Sequence, residues 1–260
     1  MRYGGAVWGI LLILAGVLFL LNSLGILAVN VWGVLWPAAL ILFGLAALAG
    51  AFRHGNDAEA VVEGLALQLK GYEEAAVTIH FGAGRLALAG GAPPDELLSG
   101  SFGGGVVHEL NPDGETARVV LRPPDGLPST DGREWDVALN EAIPLTLNLN
   151  TGASETLLDL TPMQLRRLDV RTGAGRVEID LPNAAGQTTV NIEGGAGEVI
   201  ARVPAGVAAR VSGVAVLGGL EVDEGRFTRV GDGWQSPDYE SAANRVEIAV
   251  RFGAGRVQIS

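Results

Sequence analysis

The chain has no cysteine among its 260 residues, which excludes a disulfide framework, zinc-thiolate sites and a cysteine nucleophile. It also has a single lysine, Lys70, and a formal net charge of −11. Nucleic acids and anionic membrane surfaces are bound through clustered lysine and arginine, so this balance argues against both as partners. The absence of cysteine leaves the redox compartment undecided.

Charge is missing altogether between Arg2 and Arg53, where two long apolar runs stand. The runs cover residues 6–28 and 31–52, and each is long enough as a helix to cross the ~30 Å hydrocarbon core of a bilayer. The few residues around Asn30 permit only an antiparallel connection. The sequence therefore predicts a transmembrane helical hairpin over residues 1–54.

Positive charges flank this hairpin only at its outer ends, at Arg2 and Arg53. The positive-inside rule then predicts that both termini, and with them the acidic region that follows, lie in the cytoplasm. A cleaved signal peptide with residues 7–21 as its apolar core is the alternative, but the second full-length apolar run argues against it. We expect a cell-membrane protein with two spans.

The motifs of common catalytic and nucleotide sites are missing as well. No GxxxxGK[ST] loop occurs, because the one lysine lies in LKGYEE, and there is no GxSxG elbow. No HxxxH or HExxH spacing joins His54, His80 and His108. We therefore name no catalytic residue, metal ligand or cofactor, and predict that the protein is not an enzyme.

What the chain has in abundance is glycine, with 38 residues that recur in one pattern. Five copies of the pattern are VTIHFGAGRLAL at 77–88, LNLNTGASETLL at 147–158, LDVRTGAGRVEI at 168–179, VNIEGGAGEVIA at 190–201 and IAVRFGAGRVQI at 248–259. Weaker copies stand at Gly103 and Gly218. A period of about 21–22 residues with alternating flanks predicts a β-solenoid, in which each rung buries its inner face against its neighbours.

Alternation within the copy at 168–179 assigns the two faces of that rung. The inward residues are predicted to be Leu168, Val170, Val177 and Ile179, and the outward ones Asp169, Arg171, Arg176 and Glu178. The glycines are then corners that need a positive φ or the space of a missing side chain, and we expect Gly173 and Gly195 at positive φ. Residues 82–87 also fit the dinucleotide pattern GxGxxA, but a strand follows instead of the required helix.

Two stretches, residues 89–145 and 223–244, interrupt the repeat. The second contains Phe227, Trp234 and Tyr239, which are candidate partner-binding residues because insertions on solenoids commonly form binding faces and aromatic side chains anchor interfaces. The alternative is that these aromatic residues cap the last rung. The predicted organisation is thus a hairpin at 1–54, a linker or first-rung start at 55–75, and a solenoid with two insertions at 76–260.

Three segments carry a family resemblance: the hairpin sequence WGILLILAGVLFLLNSLGIL, the GAG[RE] rungs, and the ending GDGWQSPDY with NRVEIAVRFGAGRVQIS. Together they resemble the bacterial LiaF-like membrane proteins, whose soluble part is called a toast-rack domain. The resemblance covers nearly the whole chain. It implies a non-enzymatic envelope-stress protein, whose relatives restrain a membrane histidine kinase of a two-component system. Several relatives have four helices where this chain has two.

Two functional hypotheses follow. The first is a membrane-anchored regulatory binding module that acts in cell-envelope stress sensing through a membrane protein such as a sensor histidine kinase. The alternative is a membrane-linked structural scaffold that self-associates through the faces or ends of the solenoid, because an open-edged stack of strands is a template for further pairing. In both, the hairpin contacts the lipid bilayer.

Overall fold

The computed structural model describes residues 62–124, 133–184 and 186–260. The hairpin predicted over residues 1–54 and the start of the linker lie outside these ranges. No helix within them is long and apolar enough to cross a membrane. The described residues form one sheet of thirteen strands, so the all-β prediction for this part of the chain is confirmed.

The thirteen strands follow in chain order. They are β1 (Val62–Gln68), β2 (Glu74–Gly90), β3 (Glu96–Gly103), β4 (Val107–Asp113), β5 (Thr116–Arg122), β6 (Glu134–Leu139), β7 (Leu145–Asp159), β8 (Leu165–Asp180), β9 (Gln187–Arg202), β10 (Ala208–Val222), β11 (Thr228–Val230), β12 (Gly233–Gln235) and β13 (Arg245–Ile259).

Six long strands of 15 to 17 residues form the repeating part of the sheet. The five strong copies of the glycine pattern are β2, β7, β8, β9 and β13, and the weaker copy at Gly218 is β10. These strands lie parallel, and their glycine corners are in register. Each long strand is one rung, as the repeat predicts.

Inward side chains of successive rungs stack in columns that form the hydrophobic core. One such column is Val77, Leu147, Leu168, Val190, Ile248 and Val211. All of its members are at most 1% exposed. The four inward residues predicted for β8 are buried, and its outward residues are partly or fully exposed. Burial of each such aliphatic side chain contributes roughly 1.5–3 kcal/mol relative to leaving it in water.

Each of the two glycines of a corner is required for a different physical reason. The second glycine has a positive φ, 125° at Gly175 and 131° at Gly197, which L side chains rarely adopt. The first glycine does not, so the expectation of positive φ at Gly173 and Gly195 is wrong. At Gly195 a side chain is excluded because its Cβ would meet the carbonyl oxygen of Gly173 in the neighbouring rung.

The spatial order of the rungs departs from their order in the chain, because β13 lies between β9 and β10. Two features favour β13 as the neighbour of β9. The Phe252 ring occupies the space that a Cβ on Gly194 would fill, whereas β10 has only Ala215 at that register. In addition, Arg251 of β13 pairs in register with Glu193 of β9, so opposite charges are adjacent.

Residues 89–145 extend the stack beyond its first long rung, β2. Strands β5 and β6 are parallel to β2 and pair with its first and second halves, so together they make one split rung. Strands β4 and β3 then pair antiparallel with β5 and β6, and β1 pairs antiparallel with β3. The weak copy at Gly103 is therefore not a rung, because it lies at the end of antiparallel β3.

Trp135 of β6 fills the core under this extension and is fully buried. Its ring centroid lies 5.3 Å from that of Phe81 and 5.0 Å from that of Phe102, the second pair being edge-to-face. The indole nitrogen donates a hydrogen bond of 3.3 Å to the carbonyl oxygen of Gly103. One aromatic side chain thus joins β2, β3 and β6.

Ion pairs run across the outward faces of the middle rungs. Arg171 lies 3.3 Å from Glu193, and Arg176 lies 2.7 Å from Glu198. Hydrogen bonds from Arg202 and then Arg176 hold the pKa of the Glu178 carboxyl below its ordinary value. Because these side chains are substantially exposed, water screens each pair and its contribution to stability is small. Their larger effect is to keep the outward face polar.

Candidate interaction surface

The segment after β10 begins with a tight turn that places Phe227 in the core. The carboxylate of Asp223 accepts a hydrogen bond of 2.9 Å from the Gly225 N–H, and its carbonyl oxygen accepts the N–H of Phe227. The Arg226 guanidinium donates to the carbonyl oxygens of Val203 and Pro204. Phe227 is consequently only 1% exposed.

Strands β11 and β12 form a hairpin that covers the start of β10. The two residues of its loop are Gly231 and Asp232, and Gly231 supplies the positive φ of 60° that a two-residue loop requires. The hairpin pairs with β10 at Arg210 and Val211 only. It therefore caps a short part of this terminal rung.

Tyr239 follows the hairpin and is 4% exposed. The Arg210 guanidinium lies 4.3 Å from the centre of its ring and also donates hydrogen bonds to Gln235 and Glu240. Burial, with the nearby negative charge of Glu247, raises the pKa of the Tyr239 hydroxyl. The phenol ring is held as part of the cap.

Trp234 is placed differently, because its side chain is half-buried and the other two are buried. The Arg229 guanidinium lies 5.2 Å from the centre of the indole rings. The indole N–H is enclosed, yet it has no hydrogen-bond partner among the described residues. The Trp234 residue borders a cleft of about 630 Å³ between the hairpin and the part of β10 that follows their pairing, lined by Ser212, Gly213 and Val230, among others.

Beyond Val211, the side of β10 that faces away from β13 has no partner strand in the part of the chain that the structure describes. We call residues 212–222 of β10 the free edge. Three of its apolar side chains are exposed: Val214 by 55%, Val216 by 72% and Leu217 by 71%. The cleft at Trp234 opens at the start of this free edge.

The structure therefore brings Phe227, Trp234 and Tyr239 together around one end of the stack. Phe227 and Tyr239 are packed as the capping alternative expects, and Trp234 is the one of the three that is only partly buried, packed against the core. Sequence reasoning missed the free edge, although a signal was present. The copy VSGVAVLGGLEV at 211–222 has no charged residue before Glu221, unlike the copies that form the middle rungs.

The histidines that the sequence singled out are not gathered into a site. His80 on β2 and His108 on β4 are both exposed. Within residues 62–124, 133–184 and 186–260, no group of three or more His, Asp or Glu side chains is placed to hold a metal ion.

The different burial of the aromatic residues gives a test of which of them support the fold. Phe227→Ser is expected to lower the free energy of unfolding by about 3 kcal/mol, because it removes a buried ring and leaves a cavity and a buried hydroxyl. Trp234→Ser, the matched change at a half-buried ring, is expected to cost less than about half of that. Thermal melting of the two variants, followed by circular dichroism, checks this. Equal losses would contradict the assignment of Phe227 to the core and Trp234 to the surface.

An open stack of parallel rungs with glycine corners, extended at one end by antiparallel strands, defines a toast-rack type of all-β domain. Residues 56–200 match the N-terminal domain of toast-rack, and residues 153–259 match the C-terminal region of LiaF, described as the cell wall-active antibiotics response protein. Residues 6–48 match the LiaI-LiaF-like transmembrane region. The chain belongs to the LiaF-like toast-rack family and is membrane-associated.

A solved structure agrees with this fold. A crystal structure from Clostridium sporogenes ATCC 15579, described as a candidate cell adhesion protein, superposes with a TM-score of 0.70 at 25% identity, covering 76% of this chain and 97% of its own. A candidate adhesin from Bacteroides fragilis NCTC 9343 reaches a TM-score of 0.34 at 7% identity over 79% of this chain and 100% of its own, which is too low to inform fold or function. No curated protein matches the chain.

Proposed function

We propose that this protein is a membrane-anchored, non-enzymatic regulatory module of the cell-envelope stress response. It acts by binding a membrane signalling protein, of which a sensor histidine kinase is the type we expect. The observation that carries the proposal is the joining, in one chain, of a LiaI-LiaF-like transmembrane region at 6–48 to a LiaF C-terminal region at 153–259. The two matches connect a membrane anchor to a response to cell wall-active antibiotics.

The described domain suits a binding role. Its rungs are joined by continuous parallel pairing, and their outward faces carry ordered ion pairs such as Arg176 with Glu198. At the capped end, Trp234 and Arg229 present a half-buried aromatic ring and a cation side by side. Tryptophan and arginine are the residue types most enriched among interface hot spots, so this end is the surface that we expect the partner to contact.

The anchor in this proposal is a two-span hairpin with both ends in the cytoplasm. Support comes from the two apolar runs at 6–28 and 31–52 and from the positive charges Arg2 and Arg53 at their outer ends. A cytoplasmic rack can reach the soluble domains of a histidine kinase. An external rack would instead suit the adhesive role that is attributed to the Clostridium sporogenes protein.

Site-specific photo-cross-linking in living cells tests the partner. Benzoylphenylalanine replaces Arg229 at the capped end in one strain and Arg118, an exposed arginine on β5, in a control strain. We expect the Arg229 strain to form an adduct that mass spectrometry identifies as a membrane histidine kinase, and the control strain to form little of it. Deletion of the gene should change the response to cell wall-active antibiotics. If no signalling protein is captured and the response is unaltered, the proposal fails.

Thiol labelling tests the topology, since the natural chain has no cysteine to interfere. Ser260→Cys is expected to be shielded from a membrane-impermeant maleimide in intact cells and to react once the cells are lysed. Asn30→Cys, at the predicted connection between the two spans, is expected to react in intact cells. The reverse pattern would place the rack outside and would favour an adhesive function over a regulatory one.

A further inference from the structure

The free edge differs from the other rungs in the residues that flank its corner. At the two outward positions on either side of the corner, charged side chains stand in three successive rungs: Arg171 and Arg176 in β8, Glu193 and Glu198 in β9, and Arg251 and Arg256 in β13. The same two positions in β10 are Val214 and Gly219. The terminal rung β10 thus has no charged side chain at the two positions where β8, β9 and β13 each have one.

Exposed sheet edges are normally protected, because their unpaired N–H and C=O groups are a template for another strand. Charged side chains, proline and short strand length are the usual protections. Residues 211–220 have no charged residue and no proline, and three apolar side chains on this stretch are more than half exposed. At the opposite end of the stack, β1 carries Glu63 and β4 carries His108 and Glu109. The edge strands β1 and β11 each carry one exposed large apolar side chain, Val62 and Val230, whereas β10 carries three along its open edge.

We propose that the free edge is an interface between two copies of this chain, which pair their β10 strands antiparallel about a twofold axis near Leu217. The interface includes Arg229 and the cleft at Trp234, which the signalling role proposed above assigns to a partner, so pairing of two copies would compete with that partner for the same surface. A twofold pairing uses the same surface on both copies and closes after two, so both free edges are covered at once. It also continues the sheet from one stack into the other.

Charge at the two ends of the free edge favours the antiparallel direction. Arg229 lies at its start beside Arg210, which is paired with Glu240; Asp223 and Glu224 lie at its end beside Glu221, which is paired with Arg256. Arg229 has no ion pair among the described residues, although Asp232 and Glu240 are also at this end of the rung. An antiparallel pair sets Arg229 of one copy beside Asp223 and Glu224 of the other. A parallel pair would set like charges together.

The cleft at Trp234 provides a second, independent observation. The Trp234 indole N–H is enclosed at the start of the free edge without an acceptor among the described residues. In native structures enclosed donors of this kind are almost always satisfied. In the antiparallel pair, the end of the second copy's β10 and its following turn lie beside this cleft. Their backbone carbonyl groups bring hydrogen-bond acceptors to the side of the cleft where Trp234 lies.

The test uses the whole chain in two preparations. In one it is purified and reconstituted in lipid nanodiscs, and in the other it stays in native membranes. Leu217→Cys places a thiol at the proposed axis, and Ala196→Cys is the matched control, because Leu217, Ala254 and Ala196 share one register across β10, β13 and β9. Both positions are exposed. A short bis-maleimide should convert Leu217→Cys to a single dimer band without higher species and should leave Ala196→Cys as a monomer.

Adding Val216→Lys to Leu217→Cys should reduce the dimer band about tenfold, because an edge lysine opposes strand pairing. Melting should be unchanged, since Val216 is 72% exposed. The proposal is overturned if Leu217→Cys gives no dimer, if Ala196→Cys cross-links equally, or if Val216→Lys has no effect. A ladder of higher species that Val62→Lys at the β1 edge abolishes would overturn it in favour of head-to-tail stacking. A dimer held only by the membrane segments would not respond to Val216→Lys and would overturn it too.

Discussion

Gly197→Val is expected to unfold the rack at temperatures where the natural protein is stable, through a loss of more than about 3 kcal/mol in the free energy of unfolding. Two effects add at this position. The φ of 131° is one that a β-branched residue rarely adopts, and the new Cβ would overlap the carbonyl oxygen of Gly175 in the neighbouring rung. Gly175 in turn approaches the carbonyl of Ser154 in the same way, so the corners have little room to shift.

Gly82→Ala is the matched control for Gly197→Val. Gly82 occupies a corner in β2, but it has no positive φ, and a Cβ there would meet nothing within 4 Å. This change is expected to be neutral within about 0.5 kcal/mol or slightly stabilising, because alanine reduces the freedom of the unfolded chain. Melting of the two full-length variants in detergent, followed by circular dichroism, compares them. If both glycines tolerate substitution, the close approach of rungs at the corners is wrong.

Trp135→Ala is expected to cost about 3–5 kcal/mol, the range typical of a fully buried large aromatic side chain. The loss has three parts: the transfer of the indole surface, the cavity left between Phe81 and Phe102, and the hydrogen bond to Gly103. Because the ring joins β2, β3 and β6, we expect the antiparallel extension to separate before the middle rungs. Hydrogen exchange should show faster exchange in β3 and β6 than in β8 and β9.

Trp135→Phe separates the packing from the hydrogen bond. It keeps an aromatic ring in the same space and removes the indole N–H, so a cost of about 1–2 kcal/mol is expected. A loss equal to that of Trp135→Ala would mean that packing between the rings contributes little. No loss in either variant would contradict the placement of Trp135 in the core.

The repeating part of the fold was predictable because its information is local. The alternation of Leu168, Val170, Val177 and Ile179 sets the inner face, and the fixed glycine spacing sets the rung length. These features depend on backbone sterics and on side chains two residues apart, which the sequence displays directly. The sequence did not show why positions 173 and 195 require glycine. A side chain at Gly173 or Gly195 is excluded by a carbonyl oxygen of the neighbouring rung, which is distant in sequence.

The position of β13 between β9 and β10 was not predictable from the repeat. Every rung fits the same template, so the choice between neighbours depends on a few side chains of high sequence separation. The Phe252 ring over Gly194 and the pairing of Arg251 with Glu193 are such contacts. For a similar reason the split rung made by β5 and β6 was concealed, since each half lacks the glycine corner that marks a rung.

The candidate site was predicted in location but not in detail. Aromatic residues after β10 indicated the correct end of the stack, yet composition does not tell a buried ring from an exposed one. Phe227 and Tyr239 are enclosed by the turn at Asp223 and by Arg210, contacts that only the folded chain provides. The free edge was overlooked because its signal is an absence of charge at two register positions, which is meaningful only once the neighbouring rungs are known.

The placement of β13 has a consequence for the order of events during synthesis. The ribosome synthesises β10 before β13. At that stage β10 lacks the long strand that it pairs with, and the side of β9 that will pair with β13 is unpaired. The 15 residues of β13 then have to enter between two segments that are already made. Completion of the rack is therefore delayed until β13 has been synthesised, and loss of β13 would remove two rungs from the stack instead of one.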